Sequence, residues 1–208
     1  MKAPLFNSSG EKVDMVELPR EIIGDKKPKK AVLWEVVRMY QANRRRGTHK
    51  TKSRGELAYS TAKLFPQKGL GRARHGSRSA NIFVGGYKAF GPKPRDYSYS
   101  VPKKVKRLAL KMALHDRAMA NRVFVVENID FETPKTKNMV AFVNKLGLDG
   151  RKVMFVLGEY KRNVYLSGRN IPKVDVKLAK DINAMDVLNY DYVVIEQKGL
   201  KTLEERLT

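Results

Sequence analysis

Cysteine is absent from the 208 residues. That excludes disulfide staples, thiolate nucleophiles and the usual thiolate zinc sites. Histidine is scarce: His49, His75 and His115 stand alone, at spacings no metal site uses. Long hydrophobic runs are missing too, and none approaches the roughly 18 residues of a membrane span. The opening MKAPLFNSSGEK has neither the apolar core of a secretory signal nor the Arg/Ser-rich character of a transit peptide. A cytosolic protein with no membrane partner, no cofactor and no metal is expected.

Acidic residues are scarce in one place only. The chain carries 43 Lys/Arg against 21 Asp/Glu, a formal net charge of +22. Residues 1–40 hold 8 basic and 6 acidic groups and residues 123–208 hold 14 and 12, so each end is close to neutral. Residues 41–122 hold 21 basic groups and only Glu56, Asp96 and Asp116 as acids, a net +18. Of the 15 glycines, 8 fall between residues 41 and 100. A field of this size calls for a polyanionic partner, nucleic acid before anionic membrane. Its confinement describes a basic element inserted into a near-neutral scaffold.

The periodicity agrees. APLF and VDMVEL around NSSGEK predict a short hairpin. KKAVLWEVVRMYQANRRR predicts a helix with Leu33, Val36, Val37 and Tyr40 on one face and Pro28 just before its start. Arg44-Arg45-Arg46-Gly47 closes it, and Trp34 is expected to anchor its core. From 47 to 100 no period survives. Aromatic residues (Tyr59, Phe65, Phe83, Tyr87, Phe90, Tyr97, Tyr99) are interleaved with the cations, which suits stacking against RNA bases. Tyr97 and Tyr99 are expected to cap the scaffold core at the base of this segment. Charge repulsion and few apolar contacts predict that the segment gains order from its partner. SYSVPKKVKRLALKMALHDRAMAN resumes the helical code, with Ser100 as cap, Pro102 near the first turn, and Val105, Leu108, Ala109, Met112 and Ala113 sharing a face. Leu110 and Leu114 lie off that face and predict burial on more than one side.

After Asn121, apolar strands (RVFVVENI, KVMFVLG, KVDVKLA, DYVVIEQ) alternate with helical segments, the first of them capped at Thr133. The expected fold is therefore α/β: a mainly parallel open sheet covered by helices on both faces, with a long extended basic loop inserted. Residues 1–46 and 101–208 supply the globular domain and residues 47–100 the loop.

Little here supports catalysis. GLGRARHG superficially matches phosphate-binding loops, but the dinucleotide pattern needs glycine where Arg74 stands, and no P-loop Lys-Ser/Thr follows Gly76. Neither a strand before nor a helix after the stretch is predicted, and both motifs need them. Glu127, Asp130 and Glu132 at a strand's C-terminal end could hold Mg²⁺ for an RNA-processing enzyme. They could equally form a polar loop favouring the next helix N-terminus. A nonspecific polyanion binder is the third alternative.

The stretches KLFPQKGLGRARHGS, FGPKPRDYSYSVPKKVKRLALKMAL and LSGRNIP, in this order and spacing, resemble the L-four family of bacterial large-subunit ribosomal proteins along nearly the whole chain. The resemblance implies a non-enzymatic protein that binds 23S rRNA early in subunit assembly, touches several rRNA domains and neighbouring ribosomal proteins, and acts as one copy per ribosome in the cytoplasm. It also implies that the loop tip lines the exit tunnel, where the nascent peptide passes. Carried over, Gln67, Lys68, Gly69, Gly71, Arg72, Ala73 and Arg74 form the tip with Phe65 beside them, and Gly91, Pro92, Lys93, Pro94 and Arg95 the returning arm. The expected rRNA contacts are Arg44, Arg45, Arg46, His49, Lys50, Lys52, Arg54, Lys63, Lys68, Arg72, Arg74, His75, Arg78, Lys88, Lys93 and Arg95 along the loop. Lys103, Lys104, Lys106 and Arg107 join them from the following helix. Leu64, Phe65 and Pro66 depart from the family's usual pattern, as do Ala80 and Tyr87, and these departures bear on the path of the tip.

Overall fold

A computed structural model describes residues 1–24 and 29–208. The chain divides into two compact units, one made of Met1–Gln41 with Ser100–Thr208 and the other of Ala42–Tyr99.

The first unit is an α/β sheet protein. Its elements in chain order are β1 (Lys2–Phe6), β2 (Lys12–Glu17), α1 (Arg20–Ile23), α2 (Lys30–Asn43, whose last two residues belong to the second unit), α3 (Lys103–Met119) and β3 (Val123–Val126). Then follow α4 (Thr136–Lys145), β4 (Val153–Leu157), α5 (Arg162–Gly168), β5 (Val174–Leu178), α6 (Ala184–Asn189), β6 (Tyr192–Glu196) and α7 (Gln197–Leu207). The sheet order is β2-β1-β3-β6-β4-β5. Every neighbouring pair is parallel except β1 with β2. The N-terminal hairpin thus joins the sheet, because β1 pairs with β3 through Leu5 and Phe6.

Alternation along the strands divides the core. Val123, Val125, Met154, Val156, Val193 and Ile195 face α1, α2, α3, α6 and α7. Val153, Phe155, Leu157 and Val194 face α4 and α5. A strand covered on both sides has no polar position, which is why β4 reads VMFVL and every residue of it is buried. β5 lies at the edge, and its Asp175 and Lys177 remain partly accessible.

Pro28 lies outside the described residues. Four other local expectations need correction. Trp34 does not anchor the core; it is 62% exposed, while Val36 and Met39 are the buried residues of α2. Trp34 lies on the opposite side of the helix from Val36 and Met39, so burying those two turns the indole outward. α3 starts at Lys103 with Pro102 in the cap position, where no side-chain cap bond is made, so Ser100 caps nothing. Leu110 and Leu114 are buried as expected, but Leu108 is exposed. In α4 the cap shifts from Thr133 to Lys135, which is extended and whose N–H turns back to the Thr133 carbonyl, so the helix begins at Thr136.

Candidate nucleic-acid interface

The second unit contains no regular element beyond the end of α2 and one 3-10 turn, Arg54–Glu56. What organises it is a set of backbone hydrogen bonds, most of them between its outgoing and returning arms and one, Tyr87 to Ser79, within the returning arm. Arg95 N–H donates to Gly47 O (3.1 Å), Thr51 N–H to Pro92 O (3.0 Å), Lys88 N–H to Lys52 O (3.3 Å), Tyr87 N–H to Ser79 O (3.1 Å) and Leu64 N–H to Gly76 O (3.0 Å). Sparse apolar contacts are therefore not all that holds this segment.

At its base, two guanidinium groups lie over the Tyr97 ring, Arg45 at 3.8 Å and Arg95 at 4.4 Å from the ring centroid. Its hydroxyl meets His49 Nε2 at 3.2 Å. Tyr97 is thus held inside the basic segment, in place of capping the scaffold core, and Tyr99 is exposed with its N–H bonded to Asn43 Oδ1. Gly47 has φ +69°, and a Cβ there would overlap the Arg95 carbonyl oxygen. Both facts demand glycine. Gly47→Ala should therefore break the lowest rung: the Arg95 amide is expected to exchange with solvent at least about tenfold faster, with the urea midpoint of the α/β unit unchanged. Equal Arg95 exchange in both proteins would contradict that assignment.

Both acids of this unit are held by its own donors. Glu56 takes Lys50 Nζ at 2.5 Å and the Ser53 N–H and hydroxyl, and these bonds lower its carboxyl to about 2, Lys50 contributing most. The stabilisation it gives the turn is present above the ordinary carboxylate range and is lost only as pH falls toward the lowered value. Asp96 is lowered by the Ser98 N–H and then the Ser98 hydroxyl. Apart from Lys50, the cations make no ion pair with any described residue of this unit. Arg44, Arg45, Arg46, His49, Lys50, Lys52, Arg54, Lys63, Lys68, Arg72, Arg74, Arg78, Lys88, Lys93 and Arg95 are all exposed. Fourteen Lys/Arg thus stand against two internally satisfied acids.

The departures around Leu64, Phe65 and Pro66 now have a conformation. Lys63 Nζ meets Gln67 Oε1, the Phe65 ring packs edge-on against His75 at 6.0 Å, and His75 lies 5.0 Å from Phe83. His75 is only half-buried, and its Nδ1 is enclosed without a hydrogen-bond partner. Ser77 and Ser79 are buried and joined hydroxyl to hydroxyl at 2.8 Å. Gln67, Lys68, Gly69, Gly71, Arg72, Ala73 and Arg74 are all exposed. No strand precedes GLGRARHG and no helix follows it, so a nucleotide loop has no frame here.

In the first unit, the cations of α3 border a cleft of about 210 Å³, where Lys103, Lys106 and Arg107 meet Tyr40, Asn183 and Arg206. The Arg206 guanidinium is oriented by the Ala179 and Ile182 carbonyls at 3.0 and 2.9 Å. Burial raises the Tyr40 hydroxyl above its ordinary value, partly offset by Arg206. Lys104 is exposed on the same helix. Tyr40, Asn183 and Arg206 carry no local sequence signal for this role; only the fold brings them to α3.

Glu127, Asp130 and Glu132 are exposed. Among the described residues no group of three His, Cys, Asp or Glu side chains could hold a metal ion. The C-terminal end of the sheet is filled from within. Glu196 is 0% exposed; it accepts Gly158 N–H at 3.0 Å and Lys161 Nζ at 2.6 Å. Lys161 also reaches Asn128 Oδ1 and the Ile129 carbonyl. Sequence reasoning missed this pair, whose members lie 35 residues apart. Among the described residues no helix is long and apolar enough to cross a membrane.

Comparison with known proteins finds relatives along nearly the whole chain. The family model described as "Ribosomal protein L4/L1 family" matches residues 16–206. The chain is 48% identical over 197 residues to "Large ribosomal subunit protein uL4" of Aquifex aeolicus (strain VF5), covering 94% of this chain and 98% of that protein. It is 47% identical over 204 residues to the protein of the same name from Carboxydothermus hydrogenoformans, covering 98% of each. A third such protein, from Phocaeicola vulgatus, is 41% identical over 208 residues, the full length of both.

Proposed function

The chain belongs to the ribosomal protein L4/L1 family, and from that membership we propose a structural role in the large ribosomal subunit in which residues 47–100 form an arm embedded in 23S rRNA. The protein is a structural constituent of the bacterial ribosome, in the cytoplasm, and not an enzyme.

The observation that supports the arm most directly is its electrostatic bookkeeping: both acids of Ala42–Tyr99 are satisfied internally, which leaves an exposed cationic surface for phosphate. Arginines add bidentate geometry and stacking to charge, and the segment, short of apolar contacts, gains its full order from the RNA. Binding occurs early in assembly and joins several rRNA domains. The tip from Gln67 to Arg74 lines the exit tunnel and meets the nascent peptide, while the α3 cleft and neighbouring ribosomal proteins hold the scaffold side.

If about eight phosphates are neutralised, log K against log salt falls with a slope of roughly −6. The test is co-sedimentation with large subunits after a high-salt wash, with that slope measured on deproteinised 23S rRNA. Retention with preference for 23S rRNA is expected. Equal affinity for any polyanion at matched salt would overturn the reading in favour of nonspecific binding. Mg²⁺-dependent RNA turnover abolished by Asp130→Asn would overturn it in favour of an enzyme.

A further inference from the structure

The exposed face of α2 has no role in the function described so far. Trp34 is the chain's only tryptophan and is 62% exposed. Lys30, Ala31, Arg38 and Gln41 fall on the same side of the helix by its 3.6-residue period, and all four are exposed. The Arg38 guanidinium lies over the indole, 5.0 Å from the ring centroid. That i, i+4 contact holds the ring in one orientation on the surface. The side chains of Lys30, Arg38 and Gln41 make no hydrogen bond or ion pair with any described residue, so their donors are available. The only acid of the helix, Glu35, sits on an adjacent face.

We propose that this face is an additional rRNA contact, on which an unpaired base stacks against the Trp34 indole while Lys30 and Arg38 meet the flanking phosphates. The proposal rests on the rRNA-binding reading above and adds a site on the scaffold, separate from the arm. Charge decides between an RNA and a protein occupant. A protein-docking patch is a contiguous apolar area of several hundred Å². Here a single large ring is surrounded by two cations and an amide, with Ala31 the one other apolar residue. An aromatic ring ringed by donors is how proteins hold single-stranded nucleic acid, since every base has a face to stack and a phosphate beside it. Gln41 adds a donor and an acceptor for a base edge.

The single tryptophan makes the test direct. Full-length protein is titrated with deproteinised 23S rRNA, and Trp34 emission is followed with its quenching by the neutral agent acrylamide. Saturating rRNA is expected to quench the emission and shield the ring from acrylamide, whereas a fully paired RNA duplex does neither. Trp34→Ala should weaken rRNA binding about tenfold without altering the salt slope, since a stacked base and no phosphate is lost. Arg38→Gln should lower the magnitude of that slope by about 1. The indole is exposed, so both variants keep the parent melting temperature, which verifies folding. Binding that leaves Trp34 as open to acrylamide as in the free protein sinks this inference alone. So does equal shielding by the duplex, or shielding that appears only in the assembled subunit, where a protein would be the occupant. Absence of any rRNA binding sinks the function proposed above as well.

Discussion

Replacing Lys161 by alanine is expected to destabilise the α/β unit by about 3 kcal/mol, lowering the melting temperature by roughly 6–12 °C. The reason is the partner left behind. Glu196 is wholly buried, and without Lys161 its carboxylate keeps only the Gly158 N–H of the bonds described. Removing one member of a buried pair leaves an uncompensated charge in a medium that solvates it poorly. The lost Lys161 bonds also release the Asn128 side chain and the Ile129 carbonyl at the end of β3. Glu196→Gln combined with Lys161→Met should recover most of the loss, because the glutamine oxygen still accepts Gly158 N–H and no charge remains buried. Urea denaturation of the parent, the single variant and the double variant checks this. A Lys161→Ala cost below about 1 kcal/mol would show that the pair behaves as a solvated surface bridge.

The second large effect concerns the arm. Deleting residues 50–92 and closing the gap with two glycines should leave a protein that still melts cooperatively. Its affinity for 23S rRNA should fall about a thousandfold at 0.15 M salt, with a much shallower salt dependence. The closure is sterically open because Arg95 N–H already lies 3.1 Å from Gly47 O, so the two arms are at hydrogen-bond distance just outside the cut. The α/β core contains no residue between 47 and 100, so its packing is untouched. Residual affinity through Lys103, Lys106 and Arg107 is expected. Loss of the cooperative melt would make the segment part of the folding unit, and an unchanged salt slope would remove the arm from the rRNA interface.

How much of this is legible in the sequence depends on how far apart the interacting residues lie. The sheet class follows from strands such as VMFVL, whose unbroken apolar run requires cover on both faces. The hairpin APLF/VDMVEL is equally visible, but not its parallel pairing to β3, which depends on Leu5 meeting Val125 across 120 residues. Counting Trp34 with its apolar neighbours puts it in the core, but its angular position opposite Val36 and Met39 carries the signal that it faces outward. The cations of the arm and of α3 are legible because charge is a property of the residue. The Gly47–Arg95 rung, the guanidinium groups over Tyr97, and the convergence of Tyr40 and Arg206 on α3 are not. They arise from pairings with no period, between segments that only the fold brings together.

The lowest rung of the arm has a consequence for chain length. With Gly47 and Arg95 already in contact, everything between them is a closed loop seen from the scaffold, and the entropy of closing such a loop grows only with the logarithm of its size. Doubling the insertion would cost the scaffold just about 0.6 kcal/mol. The α/β unit is therefore nearly indifferent to how long the arm is. Its length is free to be fixed by whatever the arm binds, and insertions or deletions between residues 67 and 74 should leave the stability of the α/β unit nearly unchanged.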